Sequence, residues 1–243
     1  MKNEIALYET DVQFDFSNRN GALFVYGFDT WNPLAYGAEA VLPNIFALHE
    51  KAKKEGWDIL GSVDRHFYED AELKRNKGGI FIDHCMNGTK GQLRLTELEP
   101  QKDIYIRAKD GPLMDARNYT LEELKKFVEA GAQLVFEKQT YDVNTNPNFK
   151  KTMTLLFNKG IKKIVFNGFA KDYCVRAAVL ATARCIDEVG AEVQLYLATD
   201  AIKEVGIDFQ GKVNPEFVKQ ALEEMVSVGT KLVTTQQVLE GRL

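Results

Sequence analysis

Apolar residues recur along this chain with two periods, and stretches of the two kinds alternate from one end to the other. Short runs rich in Ile, Leu, Val and Phe predict strands over residues 4–8, 58–63, 103–106, 133–136, 162–167 and 192–198, with a last one at 231–234. Between them, apolar positions spaced three and four apart predict helices over 37–55, 120–130, 148–159, 172–189 and 214–228. Thr120 followed by Glu123 forms a capping-box pattern at one helix start, and Gly160 and Gly190 stand where helices end in the left-handed conformation. Strand–helix alternation of this kind predicts an α/β fold, a mostly parallel sheet with helices on both faces. Two stretches break the rhythm and read as long loops: 17–36, rich in aromatics and glycine, and 74–87, which carries His84 and Cys85.

In a parallel sheet, ligands collect beyond the carboxyl ends of the strands. The first predicted strand exits at Asp11, the second at Asp64 with His66 two residues on, the fourth at Lys138, and the fifth into Gly168–Val175, which contains Cys174. Four exits on one edge would gather ionisable and nucleophilic groups into one cleft. Cys174 stands where a strand ends and a helix begins. The helix amides and dipole there favour a thiolate, and the same free N–H groups can bind an oxyanion. Asp11 could take the thiol proton, and Lys138 between them would hold the carboxylate charged. Asp64 and His66, two apart, would share one face, and His84 lies in a nearby loop. One carboxylate and two imidazoles suit a divalent transition metal such as zinc, iron or manganese. His49, in mid-helix, reads as structural or exposed.

Composition narrows the classes. The 243 residues suit one large α/β domain over 1–243, and a net charge of -4 without any basic stripe argues against a nucleic-acid partner. The run 51–54 reads as the solvated face of a helix. No apolar stretch is long enough to cross a membrane, and the start Met1-Lys2-Asn3-Glu4 has no signal-peptide pattern. Three scattered cysteines, Cys85, Cys174 and Cys185, predict free thiols and a reducing, cytoplasmic setting.

Four blocks in order then carry a family resemblance: Asp11-Val12-Gln13-Phe14-Asp15-Phe16, Asp64-Arg65-His66, His84-Cys85-Met86-Asn87-Gly88-Thr89-Lys90-Gly91, and Gly168 to Val175. Together they resemble the nicotinamidase branch of the isochorismatase-like cysteine hydrolases, over residues 5–235. The resemblance implies a three-layer α/β/α sandwich of the isochorismatase-like hydrolase fold. It implies Asp11 as general base and acid, Lys138 as its cationic partner and Cys174 as nucleophile. The Ala170 and Cys174 N–H groups would form the oxyanion hole, with a cis peptide before Ala170. Asp64, His66 and His84 would hold the metal, zinc first among the choices, and Phe16, Phe81 and Tyr141 would line the substrate pocket. The implied substrate is a small amide, nicotinamide above all, and NAD salvage is one metabolic setting it would fit. Another small amide or ureido compound, or a catalytically silent binding protein, are the alternatives. A homo-oligomer is permitted. The chain departs from the family pattern at several points. Asp70 stands about where many relatives place another histidine near the metal, and could interact with the metal or its water. Phe81 stands in place of tryptophan, and Glu9 and Thr10 in place of apolar residues.

Overall fold

The computed structural model describes residues 4–98 and 103–243. Met1–Asn3, on which the signal-peptide reading rests in part, lie outside the described residues. Seven strands form one parallel sheet: β1 (Ile5–Thr10), β2 (Asp58–Asp64), β3 (Asp103–Ile106), β4 (Gln133–Lys138), β5 (Lys163–Phe169), β6 (Gln194–Lys203) and β7 (Lys231–Val233), in the order β3-β4-β2-β1-β5-β6-β7. The alternation of side chains along each strand builds two cores. Ala6, Tyr8, Leu134, Phe136, Ile164, Phe166, Leu195 and Leu197 point to one face. There they meet the apolar sides of α3 (Leu121–Glu129), α4 (Phe149–Lys159), α5 (Arg176–Val189) and α6 (Pro215–Ser227). Leu7, Ile59, Val165, Tyr196 and Ala198 point to the other face. There they pack against α2 (Ala38–Glu55) and α7 (Thr235–Leu239). The molecule is thus a parallel sheet with helices on both faces, as the alternation predicts, and has the three-layer α/β/α form that the resemblance implies. The short α1 (Phe14–Ser17) follows β1 directly.

Helix ends follow the sequence signals. Thr120 and Glu123 exchange both capping-box hydrogen bonds. Gly160 and Gly190 end α4 and α5 with φ of 119° and 64°. Strand ends run beyond the apolar runs. β1 continues through Glu9 and Thr10, and β4 through Glu137 and Lys138, all of them buried. Glu9 is accommodated because its carboxylate meets His49 Nδ1 on α2 at 2.9 Å and Arg94 at 2.7 Å. His49 is therefore structural and buried, not exposed.

β1 lies at the centre, and the chain leaves it first to one side, through β2, and returns to the other side with β5. That is the switch point at which the strand exits diverge and leave a crevice. Thr10 pairs with Ser62 on one side and Gly168 on the other, and Asp64 pairs with Lys138. The register therefore sets all four exits at one level.

Gly168 is the tightest point of that level. Its φ is +104°, and a Cβ there would stand 2.0 Å from the Thr10 carbonyl oxygen. Gly168→Ala is expected to destabilise the protein by about 3 kcal/mol or more, from backbone strain and forced separation of β1 and β5. Denaturant unfolding reads this directly, and an unchanged midpoint would contradict the stated register.

Candidate active site

Lys138 is the hub of the crevice. Its side chain is wholly buried, and its ammonium lies 2.8 Å from Asp11 Oδ2, forms a short ion pair with Asp64 Oδ1, and stands 3.7 Å from Cys174 Sγ. Burial alone would lower the ammonium pKa, but Asp11, Asp64 and Cys174 together hold it well above the ordinary lysine value. Asp11 follows β1 with φ of 50°, a conformation uncommon for a residue with a side chain. Its N–H donates to the Ser62 carbonyl at 3.0 Å, and the Ser62 hydroxyl donates to Asp11 Oδ1 at 2.8 Å. Burial raises the Asp11 pKa, the Asp64 charge adds to that, and Lys138 opposes it.

Cys174 sits in a π turn, Lys171–Val175, that leads into α5. The helix predicted from residue 172 thus begins with one wide turn, and the Phe169–Ala170 peptide before it is cis. One sequence expectation is corrected here. Placement at a helix start predicts a depressed thiol pKa. The thiol is instead pushed well above its ordinary value, because it is buried and faces Asp11 and Asp64, with Lys138 only partly offsetting them. At rest Cys174 is a thiol beside a base, not a standing thiolate. Asp172, also buried, accepts from the Val205 and Gly206 N–H groups at 2.8 Å each, tying the turn to the segment after β6.

A second group of donors faces the same space. Ligand atoms of Asp64, His66, Glu72 and His84 all lie within 4.8 Å of one another, and all four residues are buried. Asp64 Oδ2 is 3.8 Å from His66 Nε2 and 3.5 Å from His84 Nε2, and His66 Nε2 is 4.0 Å from Glu72 Oε1. Tetrahedral ligands about 2.1 Å from one ion would stand roughly 3.4 Å apart, so the cluster needs little contraction to hold one. His84 Nδ1 donates to the Ile82 carbonyl at 2.7 Å, and His66 Nδ1 faces Asp70 at 3.2 Å. Both rings therefore turn Nε2 inward, and His66 Nε2 is buried with no hydrogen-bond partner. That orphaned nitrogen, among two carboxylates and a second imidazole, fits a divalent cation. Burial works against charge on His66, but Asp64 and Asp70 raise its pKa to about 9. Burial and the Asp64 charge push Glu72 up to about 7. Burial would raise Asp64 as well, yet Lys138 and then the two histidines hold it well below the carboxylate range.

Two side chains of the first block hold these groups in place. Gln13 accepts from the Asp64 N–H and donates to the Asp64 carbonyl, each at 2.7 Å. Asp15 accepts from the Cys85 N–H at 2.7 Å and the Ala22 N–H at 2.9 Å, so it clamps both long loops at once. The loop with His84 is joined to the β2 exit by the His66 N–H to the Cys85 carbonyl and the Asn87 N–H to the His66 carbonyl.

Between the two groups lies a narrow, closely packed cavity of about 20 Å³, lined by Phe16, Phe81, Tyr141, Tyr173, Asp64, Glu72, His84, Ala170 and Cys174, with Leu23, Val25 and Val205 completing its walls. Of the site residues expected from the sequence, Cys174, Asp64, His84, Ala170, Phe16, Phe81 and Tyr141 line this cavity, while Lys138 contacts Cys174 and Asp64, Asp11 contacts Lys138, and His66 stands beside Asp64. The structure adds Glu72, Ser62 and Tyr173, none of which stands out in the sequence. Tyr173 lies beside Cys174 in the quoted block, and Ser62 two residues before Asp64. Glu72 has no motif to mark it. Its Oε2 accepts from the Tyr141 N–H at 2.7 Å, which joins the donor cluster to the aromatic wall. Asp70 takes a place outside the cluster, on the far nitrogen of His66.

The isochorismatase domain model matches residues 6–237. Among solved structures, the zinc complex of Pyrococcus horikoshii pyrazinamidase is 24% identical, with 96% of this chain and 99% of that one covered and a TM-score of 0.61. The L. infantum protein crystallised with nicotinate is 16% identical over 97% and 95% of the two chains, with a TM-score of 0.64. N-carbamoylsarcosine amidase from Thermoplasma acidophilum is 18% identical over 96% and 97%, with a TM-score of 0.58. At these identities the likeness is one of fold. Curated protein sequences give no match.

A ligating imidazole must be neutral, whereas His66 without metal keeps its proton up to about pH 9. Zinc binding should therefore expel a proton below that pH. Its apparent affinity is expected to rise about tenfold per pH unit between pH 7 and 9 and to level off above. Chelator competition across this range measures it, and a flat profile would contradict the protonation assigned to His66.

Proposed function

The chain belongs to the isochorismatase domain family, and within that family we propose that it is a metal-dependent cysteine amidohydrolase acting on nicotinamide. The observation that carries the reading is the pairing of two chemistries across one small aromatic cavity. A thiol with its base and cation forms one wall, and an imidazole–carboxylate cluster suited to a divalent ion forms the other. Retention of that cluster favours a pyridine carboxamide, whose ring is flat and whose nitrogen is a ligand. When bound, the metal would supply a Lewis-acidic position for the ring nitrogen, held by Asp64, His66, His84 and Glu72.

The chemistry then falls to the protein's own groups. Phe16, Phe81, Tyr141 and Tyr173 pack on the ring and exclude water. Asp11 accepts the Cys174 proton as the sulfur attacks the carboxamide carbon, and Lys138 offsets the charge that passes between them. The oxygen of the tetrahedral intermediate is received by the N–H groups of Ala170 and Cys174. The intermediate collapses with cleavage of the C–N bond, and Asp11 returns the proton to the nitrogen, which leaves as ammonia. Asp11, a carboxylate again, takes one proton from water as that water's oxygen attacks the thioester, and the nicotinic acid formed gives its remaining proton to solvent to leave as nicotinate. The thiolate then regains its proton from Asp11. Ser62 holds Asp11 in line throughout.

A second reading keeps this machinery and changes the substrate to a small ureido compound. It is favoured by the likeness in fold to N-carbamoylsarcosine amidase. Ammonia release separates the two. The purified protein should release ammonia from nicotinamide, lose this activity on chelation and regain it with zinc, manganese or iron. Release from ureido compounds alone would favour the second reading. Cys174→Ala should lower kcat by at least about 10⁴-fold while nicotinate binding survives. Ser62→Ala removes one hydrogen bond to a carboxylate and should lower kcat by about 10- to 100-fold with little change in KM. Undiminished turnover in Cys174→Ala would sink the mechanism.

A further inference from the structure

Asp70 is a carboxylate beside the donor cluster that does not join it. It lies in the turn after β2, where the Asp70 N–H donates to the Phe67 carbonyl at 3.0 Å. The side chain folds back over that turn. Its Oδ2 accepts from the Phe67 N–H at 2.8 Å and lies 3.2 Å from His66 Nδ1. His66 Nε2 faces the cluster, so Asp70 approaches the ring from the opposite edge. Its second oxygen, Oδ1, is taken by the Lys109 ammonium at 2.6 Å. Lys109 comes from a distant loop after β3 that closes on itself, with the Arg117 N–H donating to the Ala108 carbonyl at 2.7 Å and a bridge between Lys109 and Ala116. The Lys109 ammonium and the Arg65 guanidinium each lie 5.0 Å from the centre of the Phe67 ring, and Asn76 holds the Asp70 carbonyl at 2.7 Å.

From this geometry we infer that Asp70 and Lys109 are a positioning pair for the metal ligand His66. Asp70 accepts a hydrogen bond from the Nδ1–H, which fixes the ring's tautomer and rotation and leaves the Nε2 lone pair directed into the cluster. Lys109 occupies Oδ1, offsets the carboxylate charge beside Asp64 and Glu72, and keeps Oδ2 on the imidazole. A carboxylate behind a ligating histidine sets both ring orientation and ligand basicity. The inference rests on the metal reading of the cluster and not on the identity of the amide. It assigns a role to the departure from the family pattern at Asp70. That carboxylate acts behind a ligand, and Glu72 takes the position beside the ion.

The competing role is structural: Asp70 would only cap the 67–70 turn. Zinc affinity of metal-free protein, measured by competition with a chromophoric chelator, separates the two. Asp70→Asn keeps an acceptor for the Phe67 N–H, yet should weaken zinc binding by about 10- to 100-fold. Lys109→Met should weaken it by a smaller factor, Lys109→Arg should restore it, and Asp70→Asn/Lys109→Met should bind no more weakly than Asp70→Asn alone. The absorption spectrum of the cobalt-loaded Asp70→Asn protein should shift with the altered His66 geometry. If Asp70→Asn fails to fold, the Met and Arg variants of Lys109 still decide. Unchanged zinc affinity in Lys109→Met, or a loss that adds in full to that of Asp70→Asn, would overturn the inference. Failure of the wild-type protein to bind any divalent ion would overturn the metal reading along with it.

Discussion

One buried ammonium holds this site together. Lys138 has no access to solvent and faces two carboxylates and a thiol. A lysine buried without anions would lose its proton, and two carboxylates this close without a cation would not both stay ionised. The ammonium and the carboxylates beside it hold their charges together. The remaining architecture serves that contact. Parallel pairing sets Asp64 beside Lys138, the β1 register sets Asp11 one step beyond Thr10, and the close approach at Gly168 brings the Cys174 turn against both. Asp64 belongs to both halves of the site, with Oδ1 on Lys138 and Oδ2 toward the two histidines. It joins the thiol wall to the metal-binding wall.

Much of the layering was legible because strand and helix periods alternate cleanly and the helix caps have local signatures. Strand ends were harder. Glu9 looks wrong for a central strand until Arg94 and His49, far away in sequence, are seen to pair with it. The complete burial of Lys138 likewise shows only once its partners from β1 and β2 are in place. The candidate site residues are named by short blocks that carry the family resemblance, and the fold gathers them at and beside one cavity. Glu72 escaped because its part depends on how the 67–73 turns fold back, which no periodicity encodes. The same turns decide which edge of His66 Asp70 meets. The thiol pKa was misjudged because helix placement is visible in sequence and burial is not. Burial and two acidic neighbours push the thiol up.

The two long loops supply what the sheet cannot. The sheet edge offers Asp11, Asp64, Lys138 and Cys174, but the cavity closes only when residues 17–36 contribute Leu23 and Val25 and the other loop contributes Phe81 and His84. Asp15 bonds to both loops, so a single side chain couples the shape of the pocket to the placement of a metal ligand. Glu72 makes a similar link, from the cluster to Tyr141. Pocket walls and donor cluster are thereby built as one unit, as expected where one small molecule must be gripped by its ring and attacked at its side group.

The central claim is that Lys138 makes the Asp11–Cys174 pair competent. The most direct test is the rate of Cys174 alkylation by iodoacetamide at neutral pH, followed by peptide mass spectrometry in the wild-type protein and in Lys138→Met. The account predicts selective alkylation of Cys174 over the enclosed Cys85 and Cys185 in the wild type, slowed at least about tenfold in a folded Lys138→Met protein. Equal rates in the two proteins would contradict it.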